Sequence, residues 1–339
     1  MSEDYLWDRS GEPDPEVEKL EHLLGPLRHN RPAPEFPAPV VPLRRSRIAL
    51  LLPRLAAAAA VLLLIGGIWI WIQPSRAWNV ARISGTPKIS SSPIGEAGKL
   101  AVGQLLETDD VSRAKIDVGQ IGQVEVDPNT RVRLIRTRAT EHRLELERGM
   151  IHARIWAPPG LFFVNTPSAV AVDLGCAYDL EVDDAGAGLL YVKNGWVGFE
   201  FNGRESFVPA GAQCETYPGI GPGTPYFEDA SDVFRTALEE LDFGRLGPVK
   251  RASSIATVLS EARKDDTLTL WHLLFRVSDA ERGKVYDRMA QLAPPPKGVT
   301  REDVLRLDKQ ALDLWWNELG LGNTSWWRMW KGPSPFEQR

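Results

Sequence analysis

Three hydrophobic patterns follow one another along the chain. The first is unbroken: Leu55 to Ile72 reads LAAAAAVLLLIGGIWIWI, eighteen consecutive residues without a charge. A helix of that length, at about 1.5 Å of rise per residue, spans about 27 Å, close to a bilayer's hydrocarbon thickness. A core helix of a soluble protein rarely lacks a polar face over such a length. A signal peptide would lie near the N-terminus and precede a small-residue cleavage site. Here some fifty residues come first, and QPSRAWNVAR offers no A-x-A site. The pattern predicts one transmembrane segment over 48–72, with its core at 55–72. Pro53 and Arg54 interrupt the run that begins at Ile48, and Arg54 is placed to snorkel at the entry edge.

The second pattern runs from Trp78 to about Cys214 and has a period of two. Its short apolar or alternating runs include AKIDV (114–118), GQVEV (122–126), RVRLI (131–135), MIHARIW (150–156), VAVDL (170–174), YDLEV (178–182) and WVGFEF (196–201). Turn sequences separate them: Asp127-Pro128-Asn129, Arg148-Gly149, Pro158-Pro159-Gly160, Asp183-Asp184-Ala185-Gly186 and Asn194-Gly195. Many short strands at such spacing predict an all-β domain over 76–216. Periodicity does not separate a solenoid-like winding from a sandwich-like one.

The third pattern is helical and begins near Glu228. DASDVFRTALEELDF places Val233, Phe234, Ala237, Leu238 and Leu241 on one side. Ser278 and Glu281 form a capping box ahead of a helix that stops at Pro294, and Thr300 caps a last helix carrying Val304, Leu307, Ala311, Leu314, Trp315 and Leu319. These features predict a small α-helical C-terminal domain over 228–339. PGIGPGTP, within 217–227, reads as a rigid Gly/Pro linker between the two domains. The tail SWWRMW holds Trp326, Trp327 and Trp330, which either complete a core under the last helix or form a platform for a partner.

Ahead of the apolar run, residues 1–30 combine the cluster Tyr5, Leu6 and Trp7 with a short amphipathic helix. Pro15 suits its first turn, and Val17, Leu20, Leu23 and Leu24 share one face. Some thirty residues cannot bury such a face alone, so a segment that docks on a partner is expected; a disordered tail is the alternative. Residues 31–47 are rich in proline and arginine and read as a semi-rigid spacer.

Flanking charge sets the orientation. Arg44, Arg45, Arg47 and Arg54 crowd the N-terminal side of the span, whereas Arg76 and Arg82 are the nearest basic residues after it. Trp69, Trp71 and Trp78 mark the exit side. The expected layout is a single-pass bacterial inner-membrane protein with its N-terminus in the cytoplasm and its C-terminal domains in the periplasm. Gly66-Gly67 inside the span serve helix packing, or weaken the helix enough for an intramembrane protease to cut. The net charge of −5 over 339 residues leaves no electrostatic footprint for direct nucleic-acid binding.

The search for chemistry finds little. The histidines, His22, His29, His142, His152 and His272, pair with no cysteine at ligand spacing, and the zinc-binding anti-sigma pattern H-x3-C-x2-C is absent. No G-x-S-x-G elbow, Walker loop or GxGxxG occurs. Neither an enzyme nor a cofactor is expected. Cys176 and Cys214 both follow the span, where a disulfide is permitted; two buried free thiols are the alternative.

Over about 135 residues the ordered series RISGTPKIS, LAVGQLLETDD, IGQVEVDPNTRVRLI, LELERGMIHARI, FFVNTPSAVAVDLGCAYDLEV, LLYVKNGWVGFE and VPAGAQ resembles a FecR-type domain. The family's LGT-x-F reads Leu174-Gly175-Cys176-Ala177-Tyr178 here, and a Cys176–Cys214 bridge would staple two strands. The resemblance implies a transmembrane signalling regulator. Its periplasmic β domain would relay a signal from a periplasmic or outer-membrane partner to a cytoplasmic segment that binds an extracytoplasmic-function sigma factor. An envelope-anchored periplasmic scaffold with no sigma-factor role is the second expectation.

Overall fold

The computed structural model of the protein describes residues 14–29, 31–32 and 77–322. They fall into two compact units divided between Gly67 and Ile68. Among the described residues no helix is long and apolar enough to cross a membrane. The predicted span, Leu55 to Ile72, lies outside them, as do Tyr5, Leu6, Trp7 and the Trp326/Trp327/Trp330 tail.

In the first unit, α1 (Pro15–Leu24) starts where its sequence predicts. Asp14 is the N-cap and accepts the Glu16 N–H at 2.9 Å, and Pro15 fills the first turn. A single 3-10 turn, Gly25–Leu27, extends it.

The second unit is β-rich and ends in helices. It opens with β1 (Ala77–Ser84), β2 (Lys88–Ile89), β3 (Ser92–Pro93), β4 (Ala97–Ala101) and β5 (Leu105–Glu107). Next come β6 (Arg113–Val118), β7 (Gly122–Val126), β8 (Arg131–Arg138), β9 (Glu141–Ile155), β10 (Phe162–Asn165) and β11 (Val170–Asp173). The series closes with β12 (Ala177–Val182), β13 (Gly188–Asn194), β14 (Trp196–Phe201), β15 (Arg204–Pro209), β16 (Ala212–Tyr217), β17 (Gly221–Pro222) and β18 (Tyr226–Phe227).

Pairing sorts these strands into two layers. One runs β4-β1-β6-β7-β9-β12-β13-β16, with β17 and β18 on the far side of β16. The other runs β3-β2-β5-β8-β9-β10-β11-β14-β15. Hairpins fall in one layer and then the other, so the arrangement combines two layers with a winding chain. Alternation in β6 and β7 sends Ile116 and Val124 inward, where they join Leu134, Leu144, Phe162, Leu180, Leu190 and Phe199 in one core.

The long strand β9 belongs to both layers. Residues up to Arg148 pair with β8, and from Gly149 onward the strand pairs with β7 and β12. Arg148-Gly149, expected as a turn, is therefore a kink inside a continuous strand. Gly149 has φ +90°, and a Cβ there would collide with the Thr130 side chain. Only glycine tolerates both conditions.

Among the described residues six helices follow: α2 (Asp232–Phe243), α3 (Pro248–Glu261), α4 (Thr267–Leu274), α5 (Asp279–Leu292), α6 (Arg301–Leu305) and α7 (Lys309–Glu318). The Ser278/Glu281 capping box opens α5 as read from sequence. The last helix does not run on from Thr300 as expected. Leu307 takes φ +58° and Asp308 caps a new start by accepting the Ala311 N–H at 2.9 Å, so α6 and α7 are separate. The break leaves Leu314 45% exposed while Trp315 and Trp316 are buried.

The helices have their own core, built on Phe234, Leu238, Val258, Leu270, Met289 and Trp315. They also share the β core, because Leu268 and Trp316 are buried within it. The expected linker is part of this body. Residues 221–226 are all buried, and β17 and β18 pair with β16. Gly223 and Pro222 carbonyls accept hydrogen bonds from Ser206 and Arg204, so the Gly/Pro segment is an element of the sheet and not a spacer.

Candidate functional site

The leucine face of α1 is the predicted site that the described residues reach. Leu20, Leu23 and Leu24 are 57%, 73% and 55% exposed, and Val17 is half-buried. Leu27, which the sequence reading did not include, continues the stripe at 78% exposure because the 3-10 turn carries the chain past Gly25-Pro26. Leu20, Leu23, Leu24 and Leu27 then stand at i, i+3, i+4 and i+7, the spacing of an anchor that enters a groove. The helix buries no residue, and a ten-residue helix is marginal alone. Burying a leucine is worth about 1.5–3 kcal/mol, so the exposed stripe leaves that stabilisation unused in the chain alone. The polar side is acidic, with Asp14, Glu16, Glu18 and Glu21 against Lys19.

In the β-rich unit, charged side chains line the outer face of the first layer. Arg113 and Lys193 bracket a central His152. Its Nδ1 lies 2.6 Å from Asp179 Oδ1 and its Nε2 lies 3.0 Å from Asp127 Oδ2. Only an imidazolium donates at both nitrogens. Burial pushes His152 down, but the hydrogen bonds and charges of Asp179 and Asp127 outweigh it and hold its pKa above the usual value. For Asp127, burial pushes the carboxyl up, and His152 and Arg113 bring it below the ordinary range.

A buried polar network joins the β layers to the helices. Arg276 donates to Thr224 Oγ1 at 2.6 Å, to Ser206 Oγ at 2.6 Å and to the Glu205 carbonyl at 2.8 Å. Asp242, itself nearly buried, takes Arg204 at 2.7 Å and stands 3.5 Å from Arg276. His272 is buried and neutral: burial, helped by the Arg276 charge, lowers its pKa to about 3. Its Nδ1–H donates to the Leu268 carbonyl at 2.9 Å, and Nε2 accepts the Phe207 N–H at 3.1 Å.

Both cysteines are free and buried. Cys176 donates to Asp173 Oδ2 at 2.7 Å, and Cys214 faces the Gly223 carbonyl at 3.2 Å. Register rules out the bridge. Cys214 is level with Leu190 and Leu180, two strands from β12, whereas Cys176 lies four residues back along the chain from Leu180. At about 4.8 Å per strand and 3.4 Å per residue, the Cα atoms are about 17 Å apart, well beyond the 7 Å limit of a disulfide. Burial raises the Cys214 thiol to about 12 and, with the neighbouring Asp173, raises that of Cys176. Neither is poised as a nucleophile. Asp173 is itself 1% exposed, and burial lifts its carboxyl to about 7.

Among the described residues, no group of three or more His, Cys, Asp or Glu side chains is placed to hold a metal ion. The ladder and the junction escaped the sequence reading because their partners are remote: His152 is 25 residues from Asp127, and Arg276 is 70 from Ser206.

No family model and no curated protein matches the chain. Among solved structures, it is similar to two crystal structures of a proposed anti-sigma factor from Parabacteroides distasonis, at 1.65 and 2.50 Å resolution. Each shows 17% identity and a TM-score of 0.32, over 39% of this chain. The chain spans 63% and 62% of those two chains' length.

Proposed function

We propose that this protein is a single-pass inner-membrane regulator of the FecR type. Its α1 segment binds an extracytoplasmic-function sigma factor in the cytoplasm. Its β-rich unit lies in the periplasm and relays a signal from a periplasmic or outer-membrane partner. The observation that carries the reading is the stripe Leu20, Leu23, Leu24 and Leu27, displayed to solvent on a helix that buries nothing of its own. The ordered FecR-like motifs, the apolar run at 55–72 and the arginines before it support the layout. Only residues 73–76 separate the run from β1, a tether of at most about 14 Å.

A Leu20→Asp/Leu23→Asp variant puts two carboxylates on the stripe and leaves the Asp14 cap intact. Transcription from a promoter that depends on the partner sigma factor changes in this variant, with the protein still present at wild-type level. Unchanged transcription would sink the sigma-factor role. It would leave a periplasmic scaffold in which the N-terminal stretch only sets topology.

A further inference from the structure

Three of the four sheet edges among the described residues are closed or blunted. The β15 edge meets α4: His272 accepts the Phe207 N–H, and Arg276, just past the helix end, donates to the Glu205 carbonyl. β3 is two residues long and contains Pro93, which has no N–H. β17 and β18, two residues each, end the first layer beyond β16. The remaining edge is β4, five residues long and paired only with β1 among the described residues.

The phase of that pairing is fixed at both ends. The Arg82 N–H donates to the Glu96 carbonyl at 2.9 Å, so Glu96 faces β1. At the other end Ala101 turns away from β1: its N–H donates to Gln104 Oε1 at 2.8 Å, and its carbonyl accepts the Gln104 N–H at 3.0 Å. Antiparallel ladders alternate, so Gly98 and Leu100 bond to β1 while Ala97 and Lys99 turn their N–H and C=O outward. Gln104 caps the Ala101 end, and among the described residues the other two positions stay open. Such an edge is a template for another strand.

We propose that the β4 edge receives an extended strand from a partner protein whose side chains alternate apolar and acidic. On the inner face, Leu100 is fully buried, and Ile94 and Ile89 pack where a Cβ on Gly98 would stand. Incoming residues opposite Gly98 and Leu100 would extend that core and are apolar. On the outer face, Lys99 is exposed and makes no ion pair among the described residues. The residue opposite Lys99 is therefore acidic. A second copy of this chain is disfavoured: antiparallel pairing about Lys99 would set Lys99 against itself, and directly opposed like charges destabilise a sheet. The inference stands apart from sigma-factor binding, because α1 takes no part in it.

The test is hydrogen exchange on the full chain, read at the outward Ala97 and Lys99 amides, with two nine-residue synthetic peptides as probes. One alternates Val and Glu, the other Val and Lys. The Val/Glu peptide slows exchange there by about tenfold or more, and the Val/Lys peptide does not. Lys99→Glu reverses the preference without touching the backbone. Lys99→Pro removes an outward N–H and abolishes protection by either peptide while β1 keeps its ladder. The proposal is overturned if neither peptide protects, if both protect equally, or if the Ala97 and Lys99 amides are already protected in the chain alone. The last result would mean that another segment or a second copy holds the edge. Leu20→Asp/Leu23→Asp leaves all these readings unchanged, so failure here and failure of sigma-factor binding are separately visible.

Discussion

Asp173 offers a quantitative test of how dry the interior between the two layers is. The carboxyl is 1% exposed and accepts the Gly175 N–H at 2.7 Å, the Cys176 thiol at 2.7 Å and the Cys176 backbone N–H. Nearby, the Tyr178 hydroxyl is buried without a hydrogen-bond partner among the described residues, so the surroundings solvate a charge poorly. Burial therefore lifts the folded-state pKa from 3.8 to about 7. Because the folded form holds this proton more tightly, the contribution of Asp173 to stability is greatest below pH 3.8 and falls as pH rises toward 7. Three units at about 1.4 kcal/mol each amount to about 4 kcal/mol lost across that window. Asp173→Asn keeps an acceptor for Gly175 and cannot ionise. It loses the thiol's acceptor, a cost of about 1 kcal/mol that does not depend on pH. Urea unfolding of the full chain, followed by tryptophan fluorescence at pH 4.5 and 8, should show the variant gaining on the parent as pH rises. Hydrogen exchange over 170–180 should report the same trend locally. Parallel pH profiles for the two proteins would refute the reasoning, since they would mean that Asp173 ionises in the fold as it does in water.

Two further predictions concern the junction and the thiols. Arg276→Met removes the donors to Thr224, Ser206 and the Glu205 carbonyl and strips a charge from beside Asp242. Urea unfolding should show a loss of about 3 kcal/mol, with hydrogen exchange over 267–274 accelerated before that of the β core; an unchanged profile would contradict the buried network. Titration of the denatured, non-reduced chain with a thiol reagent should count two free thiols, whereas a Cys176–Cys214 bridge would give none.

Local physics made much of the fold legible. Alternation in AKIDV and GQVEV marked β6 and β7, and Ser278/Glu281 marked the start of α5, because each signal is contained in a few neighbouring residues. What misled was punctuation whose meaning depends on remote contacts. Gly149 looks like a turn residue, yet Thr130, just ahead of β8, decides that it is a kink. PGIGPGTP looks like a spacer until Ser206 and Arg204 reach its carbonyls. Leu27 lies beyond the face read from the sequence, because a 3-10 turn through Gly25-Pro26 carries the stripe on. The leucine stripe itself was readable because it is local. The His152 ladder and the Arg276 network were not, because strand pairing and helix docking bring their members together.

The most direct test of the sigma-factor role is a pull-down from a lysate of the native host with residues 1–47 as bait, followed by mass spectrometry. The account predicts recovery of an extracytoplasmic-function sigma factor, lost when the bait carries Leu20→Asp/Leu23→Asp. A bait that recovers no sigma factor, or a variant that recovers it equally well, would contradict the account.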